Sequence, residues 1–429
     1  MSPEWYCVQL GAREHYAVPR ALHQQRRLAA FITEAWAAPG SVASLIPAKF
    51  IGRLRERFHP ELTTARVGDF TASWLLFEFC HHHRWQGWDL IMRRNRWFQR
   101  RAVTALQSNA CHQQTALSAP QYVLFAYSYA ALETFRWAKA RGWTTVLGQI
   151  DPGPVEVEIV AAEHQRHPGL ASRWQAPPPA YWTDWRAECD LADVIVANSE
   201  WSREGLTGRG IPAEKVHVVP LIYENTANPT RPKVYPDRFS AARPLRVLFL
   251  GQVNLRKGVA RVLEAARRLG GEPIEWWLVG PRDFEPPVED LANPRLRWIG
   301  SVRRGDVGRY YDEADIFLFP TLSDGFGLTQ LEAQARRLPV IASRSCGAVV
   351  RDGETGFVLP DVSPEAIVAV LLECARNPSR LAAMSARSQV AGEFSPVCVA
   401  AELSKLVVAG VSGAAHSSSV LGKAMERRS

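Results

Sequence analysis

No apolar run in this chain of 429 residues reaches the roughly 18 residues that a membrane-spanning helix needs, which excludes a helical span. Met1–Leu10 lacks a basic segment followed by an apolar one, so no secretory leader is expected there. The seven cysteines (Cys7, Cys80, Cys111, Cys189, Cys346, Cys374, Cys398) are scattered, without a Cys-x-x-Cys pair. That argues against a zinc module and a disulfide framework, and fits a reducing cytoplasm. No zinc-finger, RRM or KH signature is present, so nucleic acid is not an expected partner. The formal charge of +8 is then left to an anionic substrate or an anionic membrane surface.

What is present is ordinary for a globular protein: 47% hydrophobic and 22% charged residues. The length predicts about two domains. Many of the 15 tryptophans fall before residue 202; they serve as core, interface or sugar-stacking groups. The most informative stretch is Pro320–Glu332. The apolar run Ile316-Phe317-Leu318-Phe319 before it reads as a buried parallel strand. Gly325 and Gly327 flank Phe326, and a helix pattern starts near Leu328 and stops at Pro339. Strand, glycine loop and helix leave the first helical amides without internal partners, and these favour an anion. Glu332 on the helix can reach a ribose hydroxyl, and Asp324 stands before the loop, on the sugar side of a diphosphate.

The pattern Asp324-Gly325-Phe326-Gly327-x-x-x-x-Glu332 resembles the E-x7-E motif of family 4 (group 1) glycosyltransferases, with Asp324 where the family usually has Glu. A second segment, Gly251-Gln252-x-x-x-x-Lys257-Gly258, is similar to the family's Gly-Arg-x-x-x-x-Lys-Gly. Gln252 stands where the family has a diphosphate-binding arginine, and Arg256 beside Lys257 is the candidate substitute. Cys346-Gly347 and Gly353–Val358 match the closing pattern. The resemblance is strong over residues 245–360, moderate over 185–222 and weak over 1–184. It implies an α/β protein of the GT-B fold, with two Rossmann-like doubly wound parallel-sheet domains facing across a cleft. It further implies retaining transfer of a sugar from a nucleotide-diphosphate sugar to a hydroxyl of a glycan, polysaccharide or lipid-linked oligosaccharide, with no metal or other cofactor. In that scheme Lys257, Arg256 and the amides of Gly327, Leu328 and Thr329 receive the diphosphate, beside Gly325 and Phe326. Glu332 holds the ribose, Asp324 the sugar, and backbone near Gly300 and Val302 the base. A GT-B epimerase and a non-catalytic sugar-nucleotide-binding protein stay open as alternatives.

The expected organisation is a first domain over residues 1–222, a hinge over 223–244 and a donor domain over 245–396. A helix over 397–410 crosses back, and a disordered tail follows over 411–429. A first strand at Trp5–Leu10 leads into Gly11, which the resemblance places opposite the donor diphosphate, with Arg13 and His15 nearby; a tight turn explains it equally. A helix is then predicted from about Val18 to Ala37. Asp151, at the end of strand Thr144–Ile150, either orients or deprotonates an acceptor hydroxyl or braces the Pro152-Gly153-Pro154 turn. The basic amphipathic segments Ser41–Arg57 and Arg84–Arg101 suit an anionic membrane, or a surface position with the aromatic face on the sheet. Cys80-His81-His82-His83 cannot converge on one ion without help from elsewhere, since neighbouring side chains diverge.

Overall fold

The computed structural model describes residues 3–40, 54, 57–81, 84–110, 121–170, 174–224 and 231–407. Two parallel sheets organise them. The first is built from β1 (Glu4–Gln9), β2 (Leu28–Thr33), β3 (Val67–Asp69), β4 (Tyr122–Tyr127), β5 (Thr144–Gln149), β6 (Val194–Ala197) and β7 (Val216–Val218). Its order is β3-β2-β1-β4-β5-β6-β7. The second uses β8 (Leu245–Leu250), β9 (Ile274–Val279), β10 (Leu296–Gly300), β11 (Ile316–Phe319), β12 (Val340–Ala342) and β13 (Gly356–Val358), in the order β10-β9-β8-β11-β12-β13.

Strands covered on both faces carry continuous apolar runs, and β6 and β11 are buried at every position. Each sheet has an apolar cluster on either face. Strand order reverses between β1 and β4 in the first sheet, and between β8 and β11 in the second. Open α/β sheets bind ligands outside the carboxyl ends of the strands at such reversals.

The helix expected over Val18–Ala37 divides. Ala17–Gln24 is helical, Arg26 takes a φ of 57°, and Leu28–Thr33 becomes β2. The alanine-rich Leu28-Ala29-Ala30-Phe31 satisfies helical spacing as well as a strand; pairing of β2 with both β1 and β3 decides it. Residues 231–244 lack regular structure but are fastened to the second domain. Lys233 Nζ donates to the carbonyls of Tyr311 and Asp312, each at 2.7 Å. Arg243 forks onto Asp315 at 2.6 and 2.7 Å. At the other end, a helix over residues 396–407 lays Val399, Leu403 and Val407 into the first domain's core beside Trp5 and Phe31.

Of the basic segments, Ser41–Arg57 and its surroundings lie almost entirely outside the described residues, as does the tail after 407. Arg84–Arg101 runs into the helix Gly87–Ala110, whose Phe98, Ala102 and Leu106 pack on the first sheet. Its outer end is aromatic and cationic: Arg93 stacks on Trp85, 3.7 Å from the ring centroid. Cys80 and His81 end the helix Thr71–His81, where the His81 ring stacks on Phe77 and bonds its carbonyl. His82 and His83 lie outside the described residues.

Candidate functional site

The loops after β8 and β11 meet at the reversal of the second sheet. A single helical turn, Leu255–Lys257, follows β8, and the Asn254 side chain caps it by accepting from the Lys257 amide. Gly258 then takes φ +81°, and a Cβ there would stand 2.1 Å from the Pro320 carbonyl oxygen. Only glycine lets the two loops press together so closely. The result is an ion pair between Lys257 Nζ and Asp324 Oδ2. The lysine also sits 4.8 Å from the centroid of the Phe319 ring, against which Gly327 packs. Burial first, and then the Arg256 guanidinium, push the Lys257 ammonium below its ordinary range. Glu156 pulls the other way and favours the charged form.

The helix Thr329–Ala335 begins at this point. The Thr329 hydroxyl is buried and has no hydrogen-bond partner among the described residues, a cost of about 1–3 kcal/mol that a ligand oxygen would relieve. Gln330 is fully buried, and its amide pins the loop by donating to the carbonyls of Phe326 and Gly347 at 3.0 and 3.2 Å. Phe326 and Leu328 turn away into a small apolar cluster with Leu331, Val349 and Phe394. Their side chains anchor the loop. Glu332 accepts from the Tyr311 hydroxyl at 2.7 Å, which orients its carboxylate.

Beside these loops, a cavity of about 440 Å³ opens between the ends of β9 and β10, lined by Val253, Gly280, Arg282, Trp298, Gly300 and Ser301. Gly300 is therefore at the cavity, whereas the Val302 side chain packs against the apolar cluster beneath. Gln252 is exposed, 3.4 Å from the Asn254 amide.

Arg256 looks the other way, into the seam between the domains. It donates to the Ser323 carbonyl at 3.0 Å and lies 3.5 Å from Glu156 Oε2 and 3.9 Å from Asp324 Oδ1. Glu156 opens the first-domain helix Pro154–Arg166. It accepts from the Ser323 hydroxyl at 3.0 Å, which in turn accepts from the Trp201 indole at 3.1 Å. Burial raises the Glu156 carboxyl pKa, against the pull of Arg256. Gly325 is the tightest point of the seam. Its carbonyl accepts from the Ser199 hydroxyl at 2.6 Å, and a Cβ on it would lie 2.0 Å from the Ile150 carbonyl oxygen. Farther along, Arg261 of the second domain pairs with the buried Glu163 and reaches His167.

Of the first-domain candidates, Gly11 is held within its own domain, while Asp151 lies beside Glu156 at the edge of this cluster. Gly11, at φ +85°, donates its amide to Glu34 Oε2 at 2.8 Å. Glu34 is fully buried and held by Arg57 and Arg94. Gly11 is thus tied down as the turn after β1. Asp151 Oδ1 accepts from the Tyr129 hydroxyl at 2.6 Å, the Gln149 amide at 3.0 Å and the Gly153 backbone at 2.9 Å. These bonds tie Asp151 to the Pro-Gly-Pro turn. Burial raises its pKa.

Sequence reasoning did not single out Glu156, Ser199, Trp201, Ser323 or Tyr311 as site residues. A glutamate in the first turn of a helix is an ordinary dipole partner, so nothing local marked Glu156.

Fold and site together define the class: a GT-B protein, with two doubly wound parallel-sheet domains and its polar cluster at their seam. Residues 244–377 match the family described as Glycosyl transferases group 1. Among curated relatives, it is 27% identical over 225 residues to the amylovoran biosynthesis glycosyltransferase AmsK of Erwinia amylovora, covering 47% of this chain and 53% of that protein. It is 35% identical over 229 residues to the D-inositol 3-phosphate glycosyltransferase of Kineococcus radiotolerans, covering 46% and 53%. The chain thus spans about half the length of the curated relatives it matches. Anabaena HepE, solved in complex with UDP-glucose, superimposes with a TM-score of 0.58 at 15% identity, over 94% of this chain and 99% of that one. Sucrose-phosphate synthase from Thermosynechococcus elongatus gives 0.61 at 15% identity, over 96% and 100%. At that identity the likeness concerns the fold.

Proposed function

We propose that this protein transfers a sugar, with retention, from a nucleotide-diphosphate sugar to a hydroxyl of a glycan or lipid-linked acceptor. The observation that carries the reading is the Lys257–Asp324 pair at the β8/β11 reversal, between the open cavity at Gly280 and Gly300 and the seam. The base enters the cavity, and Glu332, oriented by Tyr311, takes a ribose hydroxyl. The diphosphate lies on Lys257 and the Thr329 hydroxyl, with Arg256 at its edge. Lys257 stabilises the negative charge that grows on the departing diphosphate, and Asp324 orients the sugar. The seam excludes water that would otherwise hydrolyse the donor. The neighbour solved in complex with UDP-glucose and the relative named for amylovoran biosynthesis support this choice.

Calorimetry of the purified protein against UDP-, GDP- and ADP-sugars tests the donor site. One saturable ligand is the expected outcome, and no binding to any of them would remove the reading. Anomeric configuration of the product by NMR, and turnover in EDTA, test retention and independence of metal. Glu332→Gln keeps the Tyr311 contact but loses the charged acceptor. It is expected to raise the donor KM about tenfold or more, and an unchanged KM would contradict the ribose assignment.

The acceptor side extends the proposal. Leu76, Phe79 and Ile91 are 63%, 83% and 41% exposed on two adjoining first-domain helices, and Arg84, Arg93, Arg96 and Arg100 share the second helix and the turn before it. Apolar groups amid arginines suit peripheral contact with an anionic membrane on its cytoplasmic side. The protein is expected to sediment with anionic vesicles and not with neutral ones, and Phe79→Asp to weaken that binding severalfold. Equal recovery with both vesicle types would refute the contact.

A further inference from the structure

In the donor site described above, both cations are paired before any donor arrives. Lys257 faces Asp324, and Arg256 faces Glu156 across the seam. A sugar nucleotide brings two phosphate charges, and both cations that would meet them already have carboxylate partners. A guanidinium is suited to fork onto phosphate. The Arg256 guanidinium spends its contacts on Glu156 Oε2 at 3.5 Å and the Ser323 carbonyl at 3.0 Å. Glu156 is well placed to hold it: its side chain is 18% exposed, and the Ser323 hydroxyl donates to it at 3.0 Å.

We propose that Glu156 occupies, in the donor-free protein, the place on Arg256 that a donor phosphate takes. It is a positioning residue from the first domain that acts through Arg256 to set donor affinity, and it couples donor entry to release of the seam. This rests on the donor-site reading above.

The groups that face Glu156 are Arg256 and Lys257 from the loop after β8, Ser323 from the loop after β11, and Asp151 from its own domain; Asp324 meets Arg256 instead, at 3.9 Å. Trp201 reaches it only through the Ser323 hydroxyl. Protonation of Glu156 removes the competitor and leaves Arg256 to the phosphate. Affinity for a sugar nucleotide therefore rises as pH falls through the titration of Glu156. Burial places that titration above the ordinary carboxylate range.

The experiment is calorimetric titration of the full chain with UDP-glucose, GDP-mannose and ADP-glucose at about pH 8 and about pH 5.5, where wild type and variants are compared by linkage. Glu156→Gln should bind the active nucleotide about fivefold to tenfold tighter at the higher pH. Its affinity should rise less toward the lower pH than that of wild type, which approaches it there; the rise that remains belongs to Lys257, whose ammonium burial has pushed down to about 7. Glu156→Asp keeps the charge and should keep the pH dependence, so the comparison survives a poorly folded glutamine variant. Weaker or unchanged binding by Glu156→Gln, or a wild-type affinity that is flat with pH, overturns the role of Glu156 while leaving the donor site intact. Failure of wild type and all variants to bind any of the three overturns the donor reading itself.

Discussion

Replacing Lys257 with alanine lowers kcat/KM for sugar transfer by about 10²–10³-fold, or about 3–4 kcal/mol of transition-state stabilisation. The expectation follows from where the ammonium sits. It is 13% exposed, lies over the Phe319 ring and touches Asp324, so little water screens it. Charge that leaves on a diphosphate at this point meets a fixed cation in a poorly solvated site. Because the phosphates are charged before and after bond breaking, part of the loss appears in donor binding and part in kcat.

Stability has to be separated from chemistry. Lys257→Ala leaves the Asp324 carboxylate, itself 19% exposed, without its contact partner, and breaking a buried pair costs about 3–5 kcal/mol. The double variant Lys257→Ala/Asp324→Asn removes both charges. It should recover most of the lost melting temperature while transfer stays depressed. Differential scanning fluorimetry beside steady-state kinetics makes the comparison. Turnover within about twofold of wild type in the single variant, or recovery of transfer in the double one, would remove Lys257 from the mechanism.

The second domain was legible in the sequence because its chemistry is contiguous. Asp324 to Glu332 occupy one strand–loop–helix, and Lys257 follows one strand, so residue order alone places them at one sheet edge. The first domain was not. Gly11 and Asp151 stand at strand ends where a ligand could lie. The groups that hold them are Glu34, Tyr129 and Gln149, which only the assembled sheet brings to them. The same limit explains β2: an alanine-rich segment does not choose between helix and strand until β1 and β3 flank it. The seam is the extreme case. Glu156, Ser199, Trp201 and Ser323 meet because two domains dock, and no periodicity along the chain records that docking.

Gly325→Ala isolates the seam. The added methyl would stand 2.0 Å from the Ile150 carbonyl oxygen and 2.7 Å from the Asn198 amide nitrogen, and its nearest contacts all belong to the first domain. One of them is backbone, and the Asn198 amide is itself held on the Ile150 carbonyl at 3.0 Å, so neither yields by a simple rotamer change. The strain is relieved by parting the domains at this point, which also lengthens the 2.6 Å bond from the Ser199 hydroxyl to the Gly325 carbonyl. Displacement of about 1 Å between reacting groups costs about 10²-fold in rate. kcat is therefore expected to fall by that order, while sugar-nucleotide affinity, which the second domain carries, does not fall. A parted seam draws Glu156 away from Arg256, so affinity should rise slightly if it moves at all. This pattern is the opposite of Lys257→Ala, where binding and turnover fall together. Parallel calorimetry and initial-rate measurements separate the two. A Gly325→Ala protein that keeps wild-type kcat would show that transfer does not need the domains to meet here.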